Sequence, residues 1–280
     1  MAGYVTRFAP SPTGHLHLGH AFSALTAYDR AKAQNGSFLL RIEDIDRARC
    51  TPAFAAAIRD DLHWLGLVWP DPVMRQSDRL PAYADTLALL GAMGLTYPCT
   101  CTRSDIRAAM SAPQEGADGP DGPVYPGTCR GKRLADAASG DAIRLDMAKA
   151  MAGVGEVSFT ENGPGLAGLH RFDADRMLTE AGDVVLGRRD IGTSYHLAVV
   201  TDDAVQGVTE VVRGEDLFTA TATHVLLQRL LRLPLPHYHH HKLIRDEQGR
   251  RLAKRDDARA LATYRDKGKT PQNIRAMLGL

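Results

Sequence analysis

Apolar positions near the start of the chain follow the period of a strand, then that of a helix, and then repeat this order. Residues 4–8 and 38–42 are short, largely apolar runs, whereas residues 18–34 and 51–65 repeat apolar side chains at the spacing of one helical face. An Asn-Gly pair follows residue 34 and is typical of a helix end, and Pro52 suits a first helical turn. This order predicts an α/β fold with a doubly wound parallel sheet.

The later part of the chain continues the alternation. Strands are predicted near residues 183–187, 195–201 and 207–213, and a helix at residues 220–231. A stretch rich in Gly, Pro, Asp and Ala, residues 111–123, predicts a flexible loop within an inserted subdomain. Ligands of doubly wound sheets bind at the carboxyl ends of the strands, so residues 7–11 and Glu43 are expected at a binding site.

Composition and charge indicate a globular protein without a broad nucleic-acid surface. The 280 residues carry 34 Lys and Arg against 33 Asp and Glu, which gives a formal net charge of +1. RNA contacts would therefore come from local patches, for which the arginine pairs 188–189, 229/232 and 250–251 are candidates. The absence of a long apolar run, of a signal peptide and of a disulfide framework predicts a cytoplasmic protein without membrane contact.

The loop after the first predicted strand leads into a helix start that suits phosphate binding. Residues 7–14 read RFAPSPTG, and residues 17–20 read HLGH. Backbone N–H groups at a helix N-terminus favour anions, and Gly19 presents no Cβ to an approaching base or ribose. His17 and His20 are three residues apart, so they share one face of the predicted helix and can both donate to phosphate oxygens.

A second segment, far along the chain, carries complementary charge. Residues 251–255 read RLAKR and place the unbranched Lys254 close to Arg251. A mobile ammonium group beside a guanidinium group suits the charge of a departing pyrophosphate. Either segment alone is a common chance occurrence, but together they predict cleavage of ATP between its α- and β-phosphates.

The two segments resemble the signature motifs of the class I aminoacyl-tRNA synthetases, HIGH at residues 17–20 and, more loosely, KMSKS at residues 251–255. Residues 7–14 and 41–46 resemble the glutamyl branch of that family. The resemblance implies a Rossmann-like catalytic domain that uses ATP with Mg²⁺. It also implies the residues of the ATP site: His17, His20 and Lys254 as catalytic residues that bind ATP, with Gly19 and Arg251 as further contacts.

Recognition of L-glutamate requires a cation for each carboxylate and an anion for the ammonium group. By charge, Arg7 suits one carboxylate and Glu43 suits the α-ammonium. The resemblance implies that Arg213 binds the second carboxylate, that Tyr195 closes the pocket with its hydroxyl group and that Ser11 adds another hydroxyl contact. Taken without the family, ordinary roles are favoured for both residues: Tyr195 as a packing residue of a sheet, and Arg213 as the partner in a salt bridge at the rim.

Three cysteines, Cys99, Cys101 and Cys129, lie close together in the sequence. In a cytoplasmic chain this spacing favours zinc over redox chemistry. A structural zinc site takes four ligands, and this window contains no histidine, so Tyr125 is the nearest residue able to complete it through its phenolate oxygen. Glutamyl-type synthetases carry a zinc subdomain at this point, which implies one structural zinc per chain. Three free thiols in a small core are the alternative.

The pattern divides the chain into four predicted regions. Residues 1–95 and 181–235 form the two halves of the catalytic domain, and residues 96–180 form the inserted zinc-containing subdomain on the acceptor side. Residues 236–280 hold the KMSKS-like loop and a short helical region, without room for the anticodon-binding domain of a complete glutamyl-tRNA synthetase. The histidine run at residues 237–241 has no second ligand cluster at a recognisable spacing and is not expected to bind metal.

This combination resembles the glutamyl-Q tRNA(Asp) synthetases, which are truncated paralogues of the glutamyl enzyme. The resemblance implies tRNA-independent activation of L-glutamate to glutamyl-adenylate, followed by transfer to the queuosine base in the anticodon stem-loop of tRNA(Asp). Two alternatives stay open. One is glutamyl transfer to a tRNA 3′ end, a carrier protein or a small molecule, and the other is a non-catalytic paralogue that binds tRNA. A monomer is expected.

Overall fold

The structure is a computed structural model that describes residues 3–102, 104–106, 118–120, 122–244 and 260–280. Its helices are α1 Leu18–Ala33, α2 Pro52–Trp64, α3 Leu80–Ala92, α4 Met147–Val154, α5 Ala174–Arg176, α6 Tyr195–Val205, α7 Thr221–Leu230, α8 Leu261–Asp266 and α9 Pro271–Leu278. A π-helical turn, Met177–Ala181, follows α5, and 3-10 helices span Gln76–Asp78, Leu134–Asp136 and Glu215–Ala220. The strands are β1 Val5–Phe8, β2 Ser37–Ile42, β3 Met74–Arg75, β4 Thr96–Cys99, β5 Asp118–Gly119, β6 Gly122–Pro123, β7 Ala142–Leu145, β8 Val157–Glu161, β9 Gly168–Phe172, β10 Val185–Gly187, β11 Glu210–Gly214 and β12 His237–His241.

Two sets of strands form the main sheet. In the first set β1 pairs with β2 and β2 with β3, both parallel. In the second set β12 lies between β11 and β8, parallel to both, and β9 forms the edge antiparallel to β8. The sets meet at β1 and β11, where the Thr209 N–H donates to the Val5 carbonyl oxygen at 3.0 Å. The parallel strands of the two sets, together with the helices between them, confirm the predicted α/β fold with a parallel sheet.

The apolar core lies on both faces of this sheet. Val211 and Val212 are neighbours in β11, and their side chains point to opposite faces because successive side chains of a strand alternate. Val211 packs in a cluster with buried side chains of α3, α4, α6 and α7, whereas Val212 packs in a second cluster with those of α1, α2, α8 and α9. Helices therefore cover both faces, and α8 and α9 confirm the predicted helical region near the C-terminus.

The predicted insertion contains a small antiparallel sheet in the order β10-β7-β4. Two further strands of the range 96–180, β8 and β9, instead join the main sheet through β12. The division of the chain at residue 180 therefore stays a prediction. Of the predicted loop at residues 111–123, the hairpin of β5 and β6 is described, and residues 111–117 and 121 lie outside the described residues.

The prediction of a strand at residues 195–201 is wrong, because these residues begin α6. Four successive apolar residues, 197–200, are all buried between other helices and the sheet. A helix buried on most of its faces lacks the 3.6-residue alternation, so its sequence resembles that of a buried strand. The signal for the helix start was present in Ser194, whose side chain caps α6 by accepting from the Leu197 N–H at 3.3 Å.

Candidate active site

A cavity of about 710 Å³ opens at the carboxyl ends of β1, β2, β11 and β12, and we call it the strand-end cavity. Its volume lies in the usual range for small-molecule sites. Every described residue that the sequence predicts for ATP or glutamate lines it: Arg7, Ser11, His17, Gly19, His20, Glu43, Tyr195 and Arg213. The fold therefore brings together two groups of residues that were predicted from separate parts of the chain.

His17 and His20 stack at the start of α1, with ring centroids 3.8 Å apart. His17 caps the helix, and its Nδ1 accepts from the Gly19 N–H at 3.1 Å. His20 Nδ1 accepts from the His17 N–H at 3.2 Å. Because both Nδ1 atoms are acceptors, each neutral ring carries its proton on Nε2. Each Nε2 is then a donor, which is the state needed for a hydrogen bond to a phosphate oxygen.

Gly19 has a structural role in addition to the predicted access for a ligand. A Cβ atom at this position would lie 3.1 Å from Cε1 and 3.2 Å from Nδ1 of His17. Both separations are tighter than ordinary van der Waals contact, so a larger residue would press on the His17 ring. The glycine therefore preserves the stack of the two histidines.

Two predicted residues of the ATP site, Arg251 and Lys254, lie outside the described residues. The described chain on either side of their segment borders the strand-end cavity. Ile244 lines this cavity, and Ala260 forms an antiparallel bridge with His17. The described residues that flank this segment in the sequence thus lie in the cavity wall and beside the stacked histidines.

Arg7 is 4% exposed and forms a buried ion pair with Asp203 of α6. Its Nε and Nη2 atoms donate to the two carboxylate oxygens at 3.0 and 3.3 Å, and its Nη1 donates to the Val212 carbonyl oxygen at 3.2 Å. Arg41 Nη1 also donates to Asp203 at 2.6 Å. Arg7 thus lines the cavity as one half of an ion pair, and its role in glutamate binding stays a prediction.

Glu43 follows β2 and lines the cavity from the neighbouring strand end. Burial raises the pKa of its carboxyl group, although Arg41, which donates to it at 3.0 Å, acts in the opposite direction. A ligand ammonium group at this carboxylate would offset the lost hydration and favour the ionised form. Glu43 therefore suits the predicted contact with an α-ammonium group.

Tyr195 and Arg213 meet in the wall of the cavity. Arg213 Nη1 lies 3.2 Å from the Tyr195 hydroxyl oxygen. Tyr195 is the first residue of α6, so the prediction that it belongs to a strand is wrong, although its side chain reaches the end of β11. The remaining partners of Arg213 are imidazole nitrogens of His224 and His240 and the hydroxyl group of Thr221. Burial raises the pKa of Tyr195, so its phenol keeps its proton and serves as a neutral hydrogen-bonding group at neutral pH.

A second cavity, of about 720 Å³, adjoins the first, and we call it the cleft cavity. The two cavities share Ser11, Glu43 and Tyr195. Three arginine pairs were predicted to contact RNA. Arg188 and Arg189 line the cleft cavity, whereas Arg229 and Arg232 line neither cavity. The third pair, residues 250–251, lies outside the described residues. The cleft cavity is therefore where a basic patch and the strand-end cavity come together.

The three predicted zinc cysteines and Tyr125 converge beside the cleft cavity. The sulfur atoms of Cys99, Cys101 and Cys129 lie within 4.8 Å of one another, with Cys101 and Cys129 3.6 Å apart. The Tyr125 hydroxyl oxygen lies 3.5 Å from Cys99 Sγ and 3.3 Å from Cys101 Sγ. Tetrahedral zinc with bonds of about 2.3 Å to sulfur separates its sulfur ligands by roughly 3.8 Å, and oxygen ligands lie slightly closer. These groups therefore fit a zinc ion, with Tyr125 in the fourth ligand position.

Hydrogen bonds prepare one of these thiols for metal binding. Burial acts to raise the pKa of Cys129, but hydrogen bonds with Tyr125 and Thr100 outweigh it and lower that pKa to about 6. Burial raises the pKa of Cys101 and of Tyr125. Cys129 is therefore a thiolate at neutral pH, which is the form that binds metal.

The chain matches the family of class I tRNA synthetases (E and Q), catalytic domain, over residues 4–280. The chain belongs to this family. As a class I synthetase it is a ligase enzyme. Its relatives include the glutamyl-Q tRNA(Asp) synthetase of Rhodobacter capsulatus, which is 60% identical over 99% of this chain and 100% of the relative. The enzyme of the same name from Symbiobacterium thermophilum is 42% identical over 96% of this chain and 83% of the relative.

Solved structures agree on the fold of this synthetase. The crystal structure of a glutamate tRNA ligase from Elizabethkingia meningosepticum, in complex with its amino acid, superposes with a TM-score of 0.75 at 25% sequence identity. The match covers 100% of this chain and 61% of that structure. This synthetase thus spans less than two thirds of that ligase, while it spans the whole length of the Rhodobacter relative. None of its described helices is long and apolar enough to cross a membrane.

Sequence analysis missed the acidic residue that organises this site. Asp203 is 5% exposed and holds both Arg7 and Arg41, which is itself fully buried. A signal was available, because Asp202 and Asp203 interrupt a run of apolar residues, and buried carboxylates require cationic partners. The incorrect strand prediction at residues 195–201 hid this signal, since it ended before the two acids.

Proposed function

We propose that this synthetase uses ATP to convert L-glutamate to glutamyl-adenylate without tRNA. It then transfers the glutamyl group to the queuosine base in the anticodon stem-loop of tRNA(Asp). The observation that carries the proposal is the strand-end cavity, because residues predicted for ATP and residues predicted for glutamate line one space of about 710 Å³. The names of the relatives from Rhodobacter and Symbiobacterium support the acceptor.

The proposed activation is an in-line attack by the glutamate α-carboxylate on the α-phosphorus of ATP, which is bound with Mg²⁺. Arg213 and Arg7 bind the carboxylates, Glu43 binds the ammonium group, and Ser11 and Tyr195 complete the pocket. The Nε2–H groups of the stacked histidines donate to phosphate oxygens, while Lys254 and Arg251 stabilise the departing pyrophosphate. These contacts stabilise charge that develops on the phosphates, so no covalent intermediate with the enzyme is required.

The proposed acceptor site is the cleft cavity. It adjoins the glutamate pocket at Ser11, Glu43 and Tyr195, so a hydroxyl group bound there would lie next to the activated carboxyl carbon. Zinc, held by Cys99, Cys101, Cys129 and Tyr125, would have a structural role, because all four ligands come from the protein. We propose that the enzyme works as a monomer in the cytoplasm, where its ATP and tRNA substrates are.

Two measurements on one preparation test the proposed function. Glutamate-dependent exchange of pyrophosphate into ATP, measured without RNA, is expected to proceed, and Lys254→Ala is expected to slow it by about 10²–10³-fold. Transfer of labelled glutamate is then measured with queuosine-containing tRNA(Asp), intact or enzymatically trimmed of its 3′ CCA end. Trimming is expected to leave incorporation unchanged, and an anticodon stem-loop is expected to suffice.

Each measurement has an outcome that contradicts the proposal. Exchange that requires RNA, or that tolerates the Lys254 substitution, removes the proposed activation mechanism. Incorporation that disappears with the CCA end indicates ordinary esterification of the 3′ terminal ribose. Exchange without transfer to either tRNA indicates a carrier protein or a small molecule as acceptor.

A further inference from the structure

Arg213 is a buried arginine whose direct partners are all neutral groups. It is 5% exposed, and its Nη1 lies 3.2 Å from the Tyr195 hydroxyl and 3.1 Å from His224 Nδ1. Its Nη2 donates to Thr221 Oγ1 at 2.8 Å, and its Nε donates to His240 Nε2 at 3.0 Å. Among the described residues, no carboxylate lies within salt-bridge distance of Arg213.

Arg7, on the neighbouring strand β1, has the opposite arrangement. Its Nε and Nη2 atoms are already paired with the carboxylate of Asp203. A substrate carboxylate would have to compete with this internal anion at Arg7, whereas at Arg213 it would supply the first direct counter-charge. Arg213 is therefore the better site of the two for a strong charge-assisted contact with a substrate carboxylate.

A buried carboxylate, Glu161, lies on the far side of His240 from Arg213. Glu161 Oε2 lies 2.5 Å from His240 Nδ1, and both side chains are fully buried. Glu161 Oε1 accepts from the backbone N–H groups of His240 and Gly163 at 2.8 and 2.6 Å. A Cβ atom at residue 163 would lie 2.1 Å from the His240 carbonyl oxygen, so this close turn requires glycine.

These contacts determine where the His240 ring carries its proton. Because Arg213 Nε–H donates to His240 Nε2, that nitrogen must be the acceptor. The proton of the neutral ring is then on Nδ1, where it is donated to the Glu161 carboxylate. Each hydrogen bond in the line from Glu161 to Arg213 thus depends on the one before it.

We propose that Glu161 and His240 are positioning residues of the glutamate site, which hold the Arg213 guanidinium in the orientation that receives a substrate carboxylate. Glu161 balances the positive charge of Arg213 through the intervening His240 ring. The side of the guanidinium group that faces the cavity is therefore available to bind the ligand. Neither residue touches the substrate. This inference rests on the proposed binding of glutamate by Arg213.

Glu161→Gln tests the line because an amide cannot replace the carboxylate in either orientation. In one orientation the amide oxygen still accepts from the two backbone N–H groups, and the amide NH₂ then faces His240 Nδ1. Nδ1 must accept from this NH₂, so the ring proton moves to Nε2, where it faces the Arg213 Nε–H donor. If the oxygen faces Nδ1, the NH₂ group faces the N–H groups of His240 and Gly163. Both orientations place donor against donor, which costs more than the loss of one hydrogen bond.

Glu210→Gln is the matched control. Glu210 is also a buried strand carboxylate, 2% exposed against 1% for Glu161, and it pairs with Arg30 at 2.6 and 2.7 Å. It lies in the same strand as Arg213 but does not contact it. Both substitutions remove a buried charge, but only Glu161→Gln disturbs the line to Arg213.

The experiment measures L-glutamate binding by calorimetry and the KM for glutamate in pyrophosphate exchange, on variants whose folding is checked by circular dichroism. Glu161→Gln is expected to raise Kd and KM for glutamate by about tenfold, with kcat and the KM for ATP within about twofold of the wild type. Glu210→Gln is expected to leave both values unchanged. In an Arg213→Lys background, Glu161→Gln is expected to change KM by less than about twofold, because the pair acts as one unit.

Three results overturn the inference. A folded Glu161→Gln variant with the wild-type KM for glutamate removes the positioning role. Equal rises in KM for Glu161→Gln and Glu210→Gln show a general effect of destabilisation. A wild type that neither binds glutamate nor exchanges pyrophosphate rejects the proposed function itself. If Glu161→Gln does not fold, His240→Gln, which keeps an acceptor for Arg213 but loses the link to Glu161, carries the same expectation and the same overturning result.

Discussion

At the scale of single residues, the hydrogen bonds of Arg213 determine which ring nitrogen carries the proton in each of the two histidines that contact it, His240 and His224. His224 Nδ1 accepts from Arg213, so its Nε2 carries the proton and donates to His196 Nδ1 at 3.0 Å. Burial lowers the pKa of His224 well below its ordinary value, and the nearby Arg213 acts in the same direction. The imidazoles of His224 and His240 therefore remain neutral at physiological pH, and the guanidinium of Arg213 supplies the positive charge of this group.

Protonation of Glu161 is expected to make stability depend on pH. Burial acts to raise its pKa, but hydrogen bonds from His240 and Gly163 lower it from 4.5 to about 2. Because the folded-state pKa lies below the unfolded-state value, this carboxylate stabilises the fold above pH 4.5 and loses that contribution between pH 4.5 and 2. The shift corresponds to about 3 kcal/mol at neutral pH. Burial also lowers the pKa of His240, so its protonation in the unfolded state favours unfolding in acid as well.

Urea denaturation of the wild type and of Glu161→Gln across this pH range measures the effect. The difference in free energy of unfolding between them is expected to be largest near neutral pH and to shrink as the pH falls below 4.5. Glutamine does not titrate, so the decrease in this difference at low pH comes from the loss of stability of the wild type as Glu161 is protonated. A difference that is the same at pH 7 and pH 3 would contradict this assignment.

At the scale of elements, the small sheet β10-β7-β4 and the chain that follows β10 contact the cysteine cluster and Tyr125. Arg144 of β7 places its guanidinium carbon 3.9 Å from the Tyr125 ring centroid, and Arg189 donates to the carbonyl oxygens of Cys99 and Cys101 at 3.2 and 2.8 Å. Both arginines also line the cleft cavity. The wall of this cavity therefore depends on the conformation of the cysteine cluster.

Purified protein is expected to contain about one zinc per chain, and loss of a ligand is expected to release it. Cys129→Ser should abolish stoichiometric zinc and make the small sheet more sensitive to proteolysis, because structural zinc contributes to folding directly. Tyr125→Phe keeps the ring beneath Arg144 but removes the oxygen, so it should weaken zinc binding with a smaller loss of stability. Metal analysis by mass spectrometry and limited proteolysis measure both effects.

Cys50→Ser is the control for these variants, because Cys50 lies outside the cysteine cluster. It is expected to retain zinc at the wild-type level. Wild-type protein that lacks zinc after purification without chelators would favour three free thiols. A Tyr125→Phe variant that binds zinc as tightly as the wild type would exclude the phenolate as fourth ligand.

At the scale of the whole molecule, the proposed function assigns activation to the strand-end cavity and transfer to the adjoining cleft cavity. Arg188 lies at the cleft cavity and pairs with Asp190 at 2.6 Å and with Asp46 at 3.7 Å. Its side chain is 40% exposed, so these pairs contribute little stability and can be exchanged for RNA phosphates. With a net charge of +1, we expect local arginines of this kind to supply most of the affinity for RNA in the proposed function.

Arg188→Gln is expected to leave pyrophosphate exchange unchanged while it lowers transfer to the anticodon stem-loop. Loss of one phosphate contact should also reduce the slope of log affinity against log salt concentration by about 1. Arg229→Gln is the matched control, since Arg229 is an exposed arginine that lines neither cavity. If Arg229→Gln weakens RNA binding and Arg188→Gln does not, the RNA contacts the other predicted patch.

Some features of this protein follow from the sequence by itself. The start of α1 at the HLGH motif and the strands β1 and β2 were predicted correctly. The start of α1 depends on contacts among residues that are close in the chain, such as the hydrogen bond from His17 N–H to His20 Nδ1. Local geometry of this kind is set by side-chain type and spacing, so it can be read from a single sequence.

Only the tertiary structure decided how the cations of the site are neutralised. Arg7 and Asp203 are 196 residues apart, and Glu161 and His240 are 79 residues apart. The pairing of buried charges depends on the order of the parallel strands and on the helices between them. Asp203 was missed because residues 195–201, which begin α6, were predicted to form a strand. The sequence therefore predicted residues that line one cavity. The packing of β1, β8, β11 and β12 determined that Arg7 pairs directly with a carboxylate, whereas Arg213 is linked to Glu161 only through His240.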